Sequence, residues 1–251
     1  MLLLLDIGNT HTHLGLATAA KVVRQTEIPT AAWKSKFAAS EIDRFIGGKS
    51  LEGAVLCSVV PSATGPATRC LAKLKLPFIE LTHLTLRGIG IDYPKPATIG
   101  PDRLANALAA RSFFGAPSLV VDFGTAVTFD VVNAAGNYAG GIITPGLAAM
   151  TTYLHEKTAL LPKIDIREIK TVIGKSTTEA MLIGAVHGYR GLIKELIAEL
   201  KSELKAAQLP VVATGGYAKL ISRGIPQITA VSPALTLEGL RLLWQQRIKA
   251  D

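Results

Sequence analysis

The chain has 251 residues, nearly half of them apolar, which is enough for two packed lobes or one large α/β domain and excludes a disordered chain. Its 27 Lys and Arg outnumber 19 Asp and Glu for a net charge of +8; no basic run interleaved with aromatics accompanies that charge, so it points to solubility or an anionic substrate and no nucleic-acid partner is expected. No stretch nears the roughly 18 unbroken apolar residues of a membrane helix, MLLLL meets Asp6 too early for a signal peptide, and Cys57 and Cys70 are too few for a disulfide framework, so a cytoplasmic protein with no membrane partner is expected.

Residues 2–10, LLLLDIGNT, read as a buried strand running into an acidic, Gly-containing turn, and HTHLGLA after them reads as the returning strand of a β-hairpin. KFAASEIDRFIGG (36–48) has helical spacing. GAVLCSVV (53–60) reads as a strand that puts Cys57 in the core and ends at the Pro61 turn, and ATRCLAKLKL (67–76) reads as a helix. Residues 83–101 are rich in Gly and Pro and read as a loop. PDRLANALAARSFF (101–114) is a strong helix start, with Asp102 in the first turn where a carboxylate suits the helix dipole. Gly115 and Pro117 then break the chain. LVVDFGTA (119–126) followed by VTFDVV repeats the first hairpin's plan, with Asp122 standing where Asp6 stood. TEAMLIGAVHGYRGLIKELIAELKSEL (178–204) reads as one long helix, and LPVVATGG (209–216) as a strand meeting a Gly pair before a further helix. The two Asp-x-Gly turns lie nearly half the chain apart, which predicts two lobes of similar plan, residues 1–114 and 115–251.

A turn containing Gly lets backbone N–H groups approach phosphate closely. Asn9, Thr10 and Thr125 add polar side chains beside the two turns, and an Asp at a strand end can hold hydrated Mg²⁺. One such turn is ordinary; two on matching strands point to phosphate binding. IGKST (173–177) imitates the tail of a P-loop, but the Gly required five residues before the Gly-Lys pair is Ile169, so Lys175 is no Walker lysine. His11 and His13 share one strand face without an evident third metal ligand, and a structural or phosphate-proximal role is expected of them. Asp130 is either a buried, hydrogen-bonded carboxylate or part of a cation site.

DIGNTHTH (6–13), DYPKPATIGPDR (92–103), DFGTAVTFD (122–130), GGIITPG (140–146) and TGGYA (214–218) occur in this order, and together they resemble the type III pantothenate kinases of the sugar kinase and actin superfamily. The resemblance implies an α/β fold of two ribonuclease H-like lobes with an ATP cleft between them, the first phosphate loop and substrate segment in the N-terminal lobe and the second phosphate loop and adenosine motif in the C-terminal one. It implies ATP-dependent phosphorylation of pantothenate to 4'-phosphopantothenate, the first step of coenzyme A biosynthesis, with Mg²⁺ and a monovalent cation (K⁺ or NH₄⁺), by a homodimer. By the same resemblance Asp6, Ile7, Gly8, Asn9, Thr10, His11, Thr12 and His13 form the first phosphate loop, with Asp6 near Mg²⁺ through water; Thr125 contacts ATP; Asp122 helps bind the monovalent cation; Asp102 is the general base; and Tyr93, Gly100, Pro101, Asp102, Arg103 and Thr177 line the pantothenate site. Two positions depart from the family's pattern: Pro101 stands where a small residue precedes the base and offers no N–H, and Tyr217 stands where an acidic residue often follows the paired glycines. A non-catalytic nucleotide sensor on the same fold is the rival reading, and intact Asp6, Asp102 and Asp122 argue against it.

Overall fold

The buried run Leu2–Ile7 forms strand β1, flanked by β2 (His11–Ala17) antiparallel on one side and β4 (Gly53–Ser58) parallel on the other, in a computed structural model that describes residues 1–248. The remaining strands of this first sheet are β3 (Val22–Pro29) and β5 (Phe78–Glu80), in the order β3-β2-β1-β4-β5. One face carries Leu3, Leu5, Ile7, Leu14, Leu16, Ala54 and Leu56 into a core closed by Trp33 and by helices α1 (Phe37–Ile46) and α2 (Pro61–Lys73). The other face carries Leu4, Gly15 and Gly53 against a late helix, where Leu237 and Trp244 stand over the two glycines. Both faces are covered, and so β1 and β4 read as continuous apolar runs rather than alternating ones.

Helix α3 (Pro101–Phe114) follows a loop that holds only the two-residue strand β6 (Gly90–Ile91) and a 3₁₀ turn at Pro96–Thr98. Leu104 to Ala110 are all buried, Asn106 among them, where it accepts a 2.8 Å bond from the Thr236 hydroxyl. The small side chains allow very close packing: an added Cβ at Gly239 would strike the Ala105 backbone.

The second unit repeats the strand plan. Strands β7 (Ser118–Phe123), β8 (Ala126–Val132), β9 (Asn137–Pro145), β10 (Val211–Thr214) and β11 (Ala230–Val231) lie in the order β11-β10-β7-β8-β9, with β7 antiparallel to β8 and parallel to β10. Read from β9, this is the 3-2-1-4-5 order of the first sheet, and the expected α/β architecture of two ribonuclease H-like units is what the molecule has. Helices α4 (Leu147–Lys157), α5 (Thr177–Ile183), α6 (Tyr189–Glu203) and α7 (Ala218–Ser222) complete this unit, and α8 (Leu235–Ile248) ends the described chain. The segment 158–176 has no regular structure and is pinned by Arg190, which donates to both oxygens of Glu168 at 2.9 and 2.8 Å and to the carbonyls of Leu220 and Ile221.

Several expectations change. The long helix predicted over 178–204 is α5 and α6 joined by a π turn at Gly184–Gly188, where two glycines permit a wide turn. Helix α2 begins at Pro61, not Ala67, because proline suits the first helical position, and Pro66 costs one backbone bond inside it. Strands β3 and β9 and helix α4 were not legible. By packing, the chain forms two compact units, and residues 136–140 and 234–248 belong with the first. The reason is apolar burial, since Leu237 and Trp244 of α8 stand over the face of the first sheet that α1 and α2 leave open, and Leu240 and Leu243 are buried with them.

Candidate active site

The first hairpin turn is built from behind. The Gly8 N–H donates to His11 O at 3.0 Å, the Thr30 N–H to Thr10 O at 2.9 Å, and the Thr30 hydroxyl to Gly8 O at 2.7 Å. Trp33 Nε1 donates to the Thr12 hydroxyl at 3.0 Å, which in turn lies 3.1 Å from that of Thr30. Ile7 and Thr12 are fully buried on the core side and serve as braces, while Asn9, Thr10, His11 and His13 are exposed. His13 Nδ1 is 3.7 Å from Glu27 Oε2; partial burial lowers its pKa, an effect the Glu27 charge opposes and His11 reinforces. Among the described residues no group of three His, Cys, Asp or Glu side chains is placed to hold a metal ion.

Register explains what stands beside Asp6. It pairs with His13 on β2 and Cys57 on β4, all three on the face opposite the Trp33 core. Cys57, expected to be plain core, is fully buried but touches chemistry: its thiol hydrogen-bonds the Asp6 carboxylate, and burial first, then the charges of Asp6 and Asp102, push its pKa well up. Asp6, Cys57 and Asp102 thus form one cluster in the first unit. This cluster is not legible in the sequence, because the parallel partner of β1 cannot be read from spacing.

Asp102 sits in the first turn of α3, where its Oδ1 accepts the Arg103 N–H at 2.9 Å. The carboxylate folds back over Gly100, where an added Cβ would lie 2.5 Å from that oxygen. Withdrawal from water raises its pKa above the ordinary carboxylate value, against the opposing pull of the Arg103 backbone bond and charge. Pro101 is the first helical residue, where the missing N–H costs no helix bond. Arg103 reaches over the ring of buried Tyr138, with Cζ 5.7 Å from its centroid, and Tyr93 lies against the same ring at 6.2 Å. Tyr138 was missed in the sequence; its aromatic side chain between Gly136 and the Gly140–Gly141 pair was the available signal.

In the second unit three of the quoted motifs meet at one turn. The Gly124 N–H donates to Ala126 O at 3.1 Å, Gly146 N–H to Thr125 O at 3.1 Å, and Tyr217 N–H to Phe123 O at 3.4 Å. Gly215, at φ +87°, lets the 214–218 motif pass so close that an added Cβ would be 2.5 Å from Asp122 Oδ1 and 2.7 Å from the Phe123 backbone. Asp122 pairs with Thr128 and Thr214 as Asp6 pairs with His13 and Cys57. Asp130 shares this face, is fully buried, and accepts from the Thr128 hydroxyl at 3.2 Å, as the first of its two readings describes. Thr125 is exposed at the turn. Thr177 is exposed at the start of α5, also in the second unit, and its neighbours Ser176 and Glu179 form a helix cap with the Glu179 and Lys175 N–H groups, which accounts for the text that imitates a P-loop.

Comparison with known proteins gives the family. The family model described as type III pantothenate kinase matches residues 2–199. A protein of Akkermansia muciniphila named type III pantothenate kinase is 46% identical over 241 residues, 96% of either chain. Among solved structures, a Campylobacter jejuni protein named as a Baf family transcriptional activator superposes with a TM-score of 0.62 at 20% identity over 98% of this chain and 99% of its own. An inorganic polyphosphate/ATP-glucomannokinase of Arthrobacter does so with a TM-score of 0.52 at 14% identity over 98% of each chain. At such identities the two structures speak for the fold alone.

Proposed function

The chain belongs to the type III pantothenate kinases, and from that premise we propose how its residues divide the transfer of phosphoryl from ATP to the terminal hydroxyl of pantothenate. The observation that carries the proposal is the Asp102 carboxylate, held at a helix start beside Cys57 and Asp6 with its proton affinity raised. Asp102 accepts the hydroxyl proton as the acceptor oxygen attacks phosphorus; phosphoryl transfer is chiefly positioning and charge stabilisation, and a base with a raised pKa is better matched to neutral pH. Tyr93, Gly100 and Arg103 hold pantothenate, and Pro101 offers its carbonyl but no N–H. The turn from Asp6 to His13, with Asn9, Thr10 and His11 outward, meets ATP phosphate, as does Thr125 in the second unit. A coupled ADP-release assay with pantothenate against a panel of other small alcohols tests this reading: turnover selective for pantothenate supports it, and a preference for another alcohol defeats it.

The residues suit the cations the family reading implies. Asp6 offers a hard carboxylate oxygen, as magnesium sites built on one or two carboxylates and phosphate require, and Asp122 sits in a cradle that a Cβ at Gly215 would fill. Asp6 would hold magnesium, which would supply charge neutralisation on the phosphates, and Asp122 would help seat K⁺ or NH₄⁺. Asp6→Asn is expected to raise the Mg²⁺ concentration needed for half-maximal rate, and Asp122→Asn the K⁺ concentration. Titration of both cations against both variants decides it, and unchanged responses would refute the assignment.

The homodimer is part of the same proposal. Among the described residues nothing lies within 4 Å of a Cβ added at Gly184, Gly188 or Gly191, so packing among them does not account for these glycines. Met150, Tyr153, Leu154, Leu160, Val172 and Ile173 leave apolar surface exposed in the same unit, Tyr153 by 63% and Leu160 by 90%. A subunit mixture of Asp102→Asn with Thr177→Arg is expected to regain activity if Thr177 completes the partner's site. An active monomer in sedimentation would sink the dimer; a dimer without recovery would remove Thr177 from the site. The two free cysteines accord with a reducing cytoplasm, and among the described residues no helix is long and apolar enough to cross a membrane.

A further inference from the structure

We propose that Tyr138 is the positioning residue of the acceptor site, a buried ring that fixes Tyr93 and Arg103 together and so sets the affinity for pantothenate. The inference rests on the reading that those two side chains contact pantothenate. Tyr138 itself is fully buried and offers no surface to a substrate. Its ring is flanked by two groups from different parts of the sequence. The Tyr93 ring lies 6.2 Å away at 60°, a tilted arrangement in which aromatic rings attract. The Arg103 guanidinium carbon lies 5.7 Å from the ring centroid, within range of a cation–π contact.

The backbone holds the same assembly in register. Strand β6 pairs parallel with the start of β9, Gly90 beside Asn137 and Ile91 beside Tyr138, and the Asp92 N–H donates to Tyr138 O at 2.8 Å. Tyr93 follows directly, so the loop is clipped to β9 one residue before its aromatic side chain leaves it. Gly140, two residues past Tyr138, has φ +102° and lies against the Tyr93 ring, where an added Cβ would be 3.3 Å from Cε2. Three residues of β9, Asn137, Tyr138 and Gly140, thus provide a clip, a ring and a glycine floor for Tyr93, and the ring also lies beneath Arg103. A long loop aromatic and an arginine would otherwise sample several rotamers, and ordering them on each binding event would weaken affinity.

The test is the kinetics of Tyr138→Leu and Tyr138→Phe. Loss of the ring in Tyr138→Leu is expected to raise KM for pantothenate roughly tenfold while leaving KM for ATP close to the parent, with a lower melting temperature from the truncated buried ring. Tyr138→Phe, which keeps the ring, is expected to restore KM for pantothenate. A general packing defect would instead shift both KM values together, and that outcome overturns the proposal, as does a Tyr138→Phe variant no better than Tyr138→Leu. Tyr138→Met, a flexible filler of similar reach, takes the place of the Leu variant if that one does not fold. Tyr93→Ala and Arg103→Ala separate the two levels. If both leave KM for pantothenate unchanged, the acceptor-site reading fails and the inference with it. If they raise it and Tyr138→Leu does not, the inference alone fails.

Discussion

Asp102→Asn is expected to lower kcat by roughly 10²–10⁴-fold, the usual cost of losing a general base, without loss of fold. The amide keeps an oxygen to accept the Arg103 N–H, so the helix start is preserved. Stability follows from the direction of the pKa shift. A carboxyl whose pKa is higher folded than unfolded contributes stability that is fully present below the unfolded value and is lost as pH rises through the folded one. Once Asp102 ionises, the folded enzyme bears a group it would hold more readily as a neutral one, and the Asn variant is relieved of that burden. Its melting temperature at pH 7 should equal or exceed the parent's, and the margin should shrink on acidification. In the parent, the acid limb of kcat/KM should lie above the ordinary carboxylate range, and residual activity of the variant should lack that limb. A pH series of initial rates together with thermal melts makes the measurement; near-normal kcat in the variant would remove Asp102 from its role.

The second large effect is expected at Gly215. An Ala there must adopt φ near +87°, which L-residues rarely accept, at a cost of about 1–3 kcal/mol. Its Cβ would also enter space already held by Asp122 Oδ1 and the Phe123 backbone, and overpacking of this kind adds about 1–3 kcal/mol. Relief requires moving either the 214–218 motif or the turn bearing Asp122 and Thr125. Gly215→Ala should therefore lower the melting temperature and activity together and raise the K⁺ requirement, whereas Asp122→Asn should affect the cation response with little change in melting. Calorimetry and cation titration on the two variants separate these effects. An Ala variant with parental melting and K⁺ response would show that the close approach does not matter.

What the sequence disclosed was local. The two Asp-x-Gly turns and the start of α3 at Pro101 were legible because each depends on a few adjacent residues with strict backbone demands. The repeat of those turns pointed to two lobes of similar plan. Strand β3 was not legible because Arg24 to Glu27 are polar and exposed at a sheet edge, without the alternation that marks a half-buried strand. Cys57 and Tyr138 escaped for a different reason. Each gains its significance from a neighbour brought in by parallel pairing, β4 beside β1 and β6 beside β9, and parallel pairing leaves no short-range signature because its partners are joined by long crossovers. Thr12 shows the converse: it lies inside the phosphate-loop text, yet its hydroxyl is spent on Trp33 and Thr30.

Helix α8 imposes an order on how the protein is made. Strand β1 leaves the ribosome well before α8, but on the sheet face bearing Leu4, Gly15 and Gly53 the two glycines are covered by Leu237 and Trp244. At roughly 5–20 residues per second, about ten to fifty seconds of synthesis separate the strand from its cover. For that interval part of the apolar sheet of the nascent first unit lacks its cover, the kind of surface that chaperones hold and that neighbouring nascent chains aggregate upon. The second unit lies within that interval and is complete in sequence before α8 appears, so the portion translated first is the portion finished last.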